Sequence, residues 1–202
     1  CLIKISKGSI EMAALDGFRM AVAKEDVISN NERSLIVPAR SLTEISKVLS
    51  ESVCDDIILT TDSKKAEIKS DNTRIIARLL EGEFIKYNDI IPKSYKTKIT
   101  VNRSELINSI ERASLLAKEG KNNLIKMSLR GSSVLINSRS EEGNVNEAVD
   151  AEIEGEDIVI GFNSKYINEA LKAVSDEEIC MEMTSPVSAS LIKPVEGENY
   201  TY

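Results

Sequence analysis

Histidine and tryptophan are absent from this chain, and each absence excludes a group of functions. Without histidine there is no imidazole to act as general base, to ligate a metal, or to activate a serine or cysteine nucleophile. Aromatic residues make up only 4% of the chain, too few for a platform on which single-stranded nucleic acid would stack. Cysteine is scarce and scattered. Cys1, Cys54 and Cys180 form no Cys-x-x-Cys pair, which argues against a disulfide framework and against a structural zinc site. No apolar run approaches the roughly 18 residues of a membrane span. No segment has the basic start, apolar middle and small-residue cleavage site of a signal peptide, so a cytoplasmic protein is expected. Glycine loops of the phosphate-binding kind are also missing. No catalytic residue, metal or cofactor is expected from what remains.

What is present suits a folded, water-soluble protein. The 202 residues are 42% hydrophobic and 29% charged, enough for one large domain or two of about 100 residues with separate cores. The net charge of −7 counts against a phosphate-rich partner in total. It does not describe distribution, because an acidic protein can carry one basic face.

Read in order, the chain opens with strands at Leu2 to Ile5 and Ile10 to Ala14 around a Lys7-Gly8 turn. Asp16-Gly17 is a hairpin signal, since glycine tolerates positive φ and aspartate bonds its own backbone. Phe18, Arg19 and Met20 follow at once and lead into Ala21-Val22-Ala23. This corner reads either as an ordinary hairpin that buries Phe18 and Met20, or as the lip of an apolar groove with Arg19 for orientation. A small enzyme with a cleft at Arg19 and Asp16 is a rival reading, with Arg as an anion holder and Asp as a base. An adaptor that binds peptides and no nucleic acid is another.

Lys24 to Arg33, with Asn30-Asn31, reads as a loop, and Leu35-Ile36-Val37 as a strand. Pro38-Ala39 opens a helix whose Leu42, Ile45, Val48 and Leu49 share a face. Strand-like runs follow at 56–60, 65–69 and 73–79. Residues 81–95 fit neither period and read as an apolar linker. Beyond it, Thr97 to Val101 is a strand. A helix then opens at Asn102 with Leu106, Ile110 and Ala113 on one face, and ends at Gly120 to Asn123. Strands are expected at 124–129, 133–138, 146–153 and 157–161. A third helix from Asn163 carries Ile167, Ala170, Leu171 and Val174. Strands at 179–184 and 187–192 complete the reading.

Three segments share one design: Val37-Pro38-Ala39-Arg40-Ser41-Leu42, Val101-Asn102-Arg103-Ser104-Glu105-Leu106 and Phe162-Asn163-Ser164-Lys165-Tyr166-Ile167. Each is a strand end, then Pro or Asn, then a polar or basic opening of an amphipathic helix. They recur at intervals of roughly 60 residues, which marks a repeated supersecondary unit. Helices kept to one face of antiparallel sheets make an α+β fold. The helices carry Arg40 and Lys47, then Arg103 and Arg112 with Lys118 and Lys121 beyond, then Lys165 and Lys172. These cations fit either a solvated surface paired with Glu44, Glu105, Glu111 and Glu169, or a common surface for a duplex phosphate backbone, which needs no base-reading device.

The stretches Leu15-Asp16-Gly17-Phe18-Arg19-Met20-Ala21, Ile36-Val37-Pro38-Ala39-Arg40, Leu80-Glu81-Gly82-Glu83-Phe84 running to Tyr87 and Ile91-Pro92, and Ile160-Gly161-Phe162-Asn163 together resemble the bacterial sliding clamp, the beta subunit of DNA polymerase III. The resemblance implies repeated clamp units with sheets outside and helices on the inner face. It implies a non-catalytic homodimeric ring that encircles duplex DNA as a processivity factor. Polymerase, clamp loader and repair proteins would dock short peptides in an apolar groove. The groove residues implied are Leu15, Gly17, Phe18, Arg19, Met20, Ile85, Ile90, Val187 and Ala189. The DNA-facing residues are Arg40, Lys47, Arg103, Arg112, Lys165 and Lys172. Leu15 stands where the family has Thr and Ile85 where it has Pro, changes that bear on peptide preference. By the same resemblance the chain corresponds to most of a second domain (1–94, with the linker at 81–95) and nearly all of a third (96–202, lacking its last strand).

Overall fold

A computed structural model of the chain describes residues 1–29, 31–51, 56–118, 121–197 and 199–202. The expectations for Asn30, Cys54 and Gly120 lie outside these residues. The chain forms two units, Cys1–Ile85 and Lys86–Tyr202.

The first unit contains β1 (Leu2–Ser6), β2 (Ser9–Leu15), β3 (Met20–Asp26), β4 (Arg33–Ile36), α1 (Ala39–Ser50), β5 (Ile58–Thr61), β6 (Lys65–Ser70) and β7 (Thr73–Arg78). Antiparallel pairing runs β3-β2-β1-β4 in one sheet and β5-β6-β7 in another. Alternation places Ile3, Ile5, Ile10 and Leu35 in a core with Ile45, Ile68 and Ala77. Two expectations are corrected here. Lys24, Glu25 and Asp26 belong to β3, paired with Glu11, Ile10 and Ser9. Their polarity reads as a loop, but backbone pairing with β2 requires no apolar side chain. Val48 is 40% exposed, and Ile45 is the buried residue of α1.

The second unit opens with a single 3-10 turn, Tyr87–Asp89, inside the stretch read as a linker. It continues through β8 (Thr97–Asn102), α2 (Arg103–Ala117), β9 (Leu124–Arg130), β10 (Ser133–Ser140), β11 (Gly143–Gly155), β12 (Ile158–Asn163), α3 (Ser164–Ala173), β13 (Glu178–Met183), β14 (Leu191–Pro194) and β15 (Tyr200–Thr201). One antiparallel sheet has the order β12-β9-β10-β11-β8-β13-β14. The pairing Ile160↔Met127↔Ile136 across three strands, and Ile153↔Ile99↔Met181 across three more, puts a continuous apolar face on one side. Helices α2 and α3 pack on that face and on each other. The opposite face is polar, the pattern of a sheet covered on one side.

The repeated Pro or Asn has a local explanation. Asn102 Oδ1 accepts from the Glu105 amide at 3.0 Å, and Asn163 Oδ1 from the amides of Lys165 at 3.0 Å and Tyr166 at 3.3 Å. Each fills a helix N–H that has no intrahelical acceptor. Pro38, with φ −57°, supplies no side-chain cap but holds the chain in a conformation ready for α1. Gly155 closes β11 at φ +100°, where a Cβ would collide with the Lys96 carbonyl.

The final strand also starts later than expected. Residues 187–190 are not in it. Ser185 to Ser188 form a turn, with Ser188 N donating to Ser185 O at 3.3 Å and the two hydroxyls 2.6 Å apart. Pro186 has no N–H to offer a ladder, which favours the turn.

Replacing Asn163 by Ala is expected to destabilise the chain by about 1 kcal/mol, because two amides of α3 lose their acceptor. Urea denaturation of the two proteins measures this directly, and Asn163→Ser should recover most of the loss.

Candidate docking corner and helix-borne cations

The corner between β2 and β3 is organised by Asp16. Its Oδ1 accepts from the amides of Phe18 and Arg19, both at 3.1 Å, and its Oδ2 accepts from Arg19 Nε at 2.8 Å. Gly17, at φ +89°, lets the chain reverse there. These contacts hold the Asp16 carboxyl below the ordinary aspartate range. The Arg19 side chain is the leading cause and the two amides add to it. A carboxylate so engaged is a poor general base, which removes the basis of the enzyme reading at this cleft. Arg19 is 25% exposed in its side chain and is held at its root by Asp16.

Burial goes against the reading that puts Phe18 in the core. Phe18 is 84% exposed and Leu15 43% exposed, while Met20 lies half-buried directly opposite Leu15. An ordinary hairpin would have placed Phe18 in the core. The structure therefore gathers Leu15, Gly17, Phe18, Arg19 and Met20 at one exposed corner of the first unit. Ile85, at the end of that unit, lines a cleft of about 500 Å³ with Leu2, Ile36, Leu80 and Phe84. Leu80 and Phe84 were not among the expected groove residues. None of Leu15, Gly17, Phe18, Arg19 and Met20 lines this cleft. In the second unit Ile90 is 52% and Val187 95% exposed, and Ala189 is exposed as well.

The six helix cations separate into two groups. Lys47 pairs with Glu44 at 3.0 Å and Lys172 with Glu111 at 2.6 Å. Arg112 grips both carboxylate oxygens of Glu147 at 2.9 and 2.6 Å, which raises the arginine pKa and lowers the glutamate's. Arg103 donates Nε–H to the Asp176 carbonyl at 2.6 Å. Arg40 and Lys165 are exposed and make no ion pair among the described residues. Each is the second residue of its helix. Among the described residues no cluster of His, Cys, Asp and Glu could hold a metal ion, and no helix is long and apolar enough to cross a membrane.

The architecture is α+β, with helix-on-sheet units repeated along the chain. A family model described as DNA polymerase III beta subunit, central domain, matches residues 1–86, and one described as DNA polymerase III beta subunit, C-terminal domain, matches residues 88–202. Curated relatives include the beta sliding clamp of Staphylococcus aureus, 36% identical over 98% of this chain and 53% of the relative. That of Staphylococcus epidermidis is 34% identical over 98% of this chain and 53% of the relative. Among solved structures, the DNA polymerase sliding clamp of Bacillus subtilis matches with a TM-score of 0.92 and 33% identity, over 99% of this chain and 54% of that one. The DNA polymerase III beta subunit of Thermotoga maritima matches with a TM-score of 0.92 and 30% identity, over 99% and 55%. The chain belongs to the DNA polymerase III beta subunit family, and it spans about half the length of the curated relatives it matches.

The depressed Asp16 pKa gives a pH prediction. A carboxyl whose folded pKa lies below its unfolded value stabilises the corner above the unfolded value, and this contribution is lost as pH falls through the folded one. The Phe18 and Arg19 amide resonances should therefore titrate with a midpoint below the ordinary aspartate range in a two-dimensional NMR titration. In Asp16→Asn that titration should disappear.

Proposed function

We propose that this chain supplies the second and third domains, at 1–94 and 96–202, of a sliding clamp that acts as a DNA polymerase processivity factor. The carrying observation is the close structural match to the Bacillus subtilis sliding clamp over almost the whole chain. In this reading the full-length protein is a cytoplasmic homodimeric ring that encloses duplex DNA. It tethers polymerase, clamp loader and repair proteins through short peptides. It is a non-catalytic subunit and needs no cofactor, because encirclement requires only a closed surface and weak, sequence-independent attraction to phosphates.

The placement of Arg40 and Lys165 supports the DNA-facing assignment. A cation in the first turn of a helix opposes the helix dipole. Neither residue recovers that cost through an internal ion pair, so an external anion is the natural compensation. Lys47, Arg112 and Lys172 are already balanced by carboxylates and would contribute less. For peptide docking, the support is the exposure of Leu15 and Phe18 beside an arginine whose position is fixed by Asp16. Apolar anchors flanking one oriented cation suit a short apolar peptide with a polar residue.

Two measurements on full-length protein test these assignments. Arg40→Glu combined with Lys165→Glu should shorten retention on nicked circular DNA and increase its salt sensitivity, while Lys47→Glu has a smaller effect. Equal retention would remove Arg40 and Lys165 from the DNA surface. Met20→Asp, and separately Ile90→Asp, should abolish saturable binding of a fluorescent clamp-motif peptide without lowering the unfolding midpoint by more than a few degrees. Unchanged affinity would remove those residues from the docking surface.

A further inference from the structure

The polar face of the seven-stranded sheet, the one turned away from α2 and α3, carries several cations, and most are neutralised locally. Lys98 lies 3.7 Å from Glu154, Arg130 3.5 Å from Asp157 and Lys193 2.6 Å from Glu182. Two cations on this face differ. Lys126 and Arg139 make no ion pair among the described residues, and both line the same open cleft of about 560 Å³. Their companions there are the amide side chains Asn137, Asn144 and Asn146, the exposed Leu124, and Ala117 at the end of α2. None of the described lining residues is acidic, in a chain whose net charge is −7.

Strand lengths create this cleft. The β9–β10 register runs from Arg130↔Ser133 to Lys126↔Asn137, yet β10 continues to Ser140. On its other side β10 stays paired with β11 through Asn137↔Asn146 and Arg139↔Asn144. Beyond Asn137 the β9 side of β10 is thus an open notch. Asn137 Nδ2 donates to Asn146 Oδ1, which fixes two of the amides.

A second observation comes from the α2-facing side of β10, where the cleft reaches round the strand edge to Ala117. Ser138 also lines it and is only 4% exposed, yet its Oγ has no hydrogen-bond partner. A buried hydroxyl without a partner is destabilising, and the notch is where one could reach it. Two unbalanced cations, a fringe of amides, one apolar wall and an orphan hydroxyl converge here.

We infer that this cleft binds a small phosphomonoester, with the phosphate on Lys126 and Arg139 and the organic part against Leu124 and the asparagine amides. The assignment is independent of the clamp reading. The β2–β3 corner takes no part in it, and α2 contributes only its last residue, Ala117, to the lining. Oxyanion recognition follows from the paired cations, and the amides supply both donors and acceptors for a sugar or base.

The test is isothermal titration of the chain with AMP and ribose 5-phosphate, using inorganic phosphate and adenosine as reference ligands. At least one phosphomonoester should bind saturably and at least about tenfold more tightly than inorganic phosphate, with adenosine weaker still. Lys126→Glu with Arg139→Glu should reduce that affinity at least about tenfold. Lys4→Glu with Lys7→Glu, the same charge change in the first unit, should leave it intact. Ser138→Ala should weaken binding while raising or preserving the unfolding temperature, which a purely structural hydroxyl would not do. Absence of saturable binding by both phosphomonoesters, equal affinity for inorganic phosphate, or full affinity in the Lys126 and Arg139 double variant would overturn the site.

Discussion

Everything in the second unit depends on one burial. The stripe Leu106, Ile110, Ala113 and Ala117 of α2 is covered by the apolar face of the sheet and by α3. Leu106, Ile110 and Ala113 have no solvent exposure, and the sheet residues beneath them, Met127, Ile136 and Ile99, have none either. Close-packed contacts of this kind leave little freedom for the helices to rotate. Once these faces are turned inward, the remaining faces are fixed as well. Most helix charges then point away from the sheet, Arg112 excepted, which reaches Glu147 on β11.

The first unit obeys the same rule with less material. Its helix α1 fully buries only Ile45, and Leu42 and Leu49 remain partly exposed. Ile58 and Ile76, on one side of the β5-β6-β7 sheet, are 62% and 52% exposed. An exposed Phe18 in such a unit has two meanings to weigh, since exposed apolar groups are more common there than in the second unit. Asp16 orders the corner in either case. It spends both carboxylate oxygens on holding the corner and its arginine in one geometry.

The parts of this fold written in periodicity were readable from the chain alone. The stripes of α2 and α3, the Asp16-Gly17 reversal and the Asn102 and Asn163 caps all follow from spacing and from the chemistry of single residues. What escaped has physical causes. Lys24 to Asp26 are polar in a strand because the ladder is a backbone matter. Val187 is apolar outside a strand because Pro186 and two serine hydroxyls favour a turn. The pairing of Arg112 with Glu147 joins a helix to a strand far along the chain, which no local pattern encodes. Apart from Lys47, whose partner Glu44 lies one turn back in the same helix, only tertiary contacts separated Arg40 and Lys165 from the rest.

That separation explains how an acidic chain can leave some cations open to an approaching anion. Net charge is a sum over side chains, but a phosphate responds to charges within about one Debye length, roughly 8–10 Å in ordinary salt. At Arg112 an approaching anion meets a cation already bound to two carboxylate oxygens, so the net field is small. At Arg40, Lys165, Lys126 and Arg139 no such partner intervenes among the described residues. The surface thus contains many positive residues but few positive places. A cation left unpaired where most of its neighbours are paired is a more informative signal than the number of lysines and arginines. The same reasoning separates the balanced positions on the polar sheet face from the two that line the cleft.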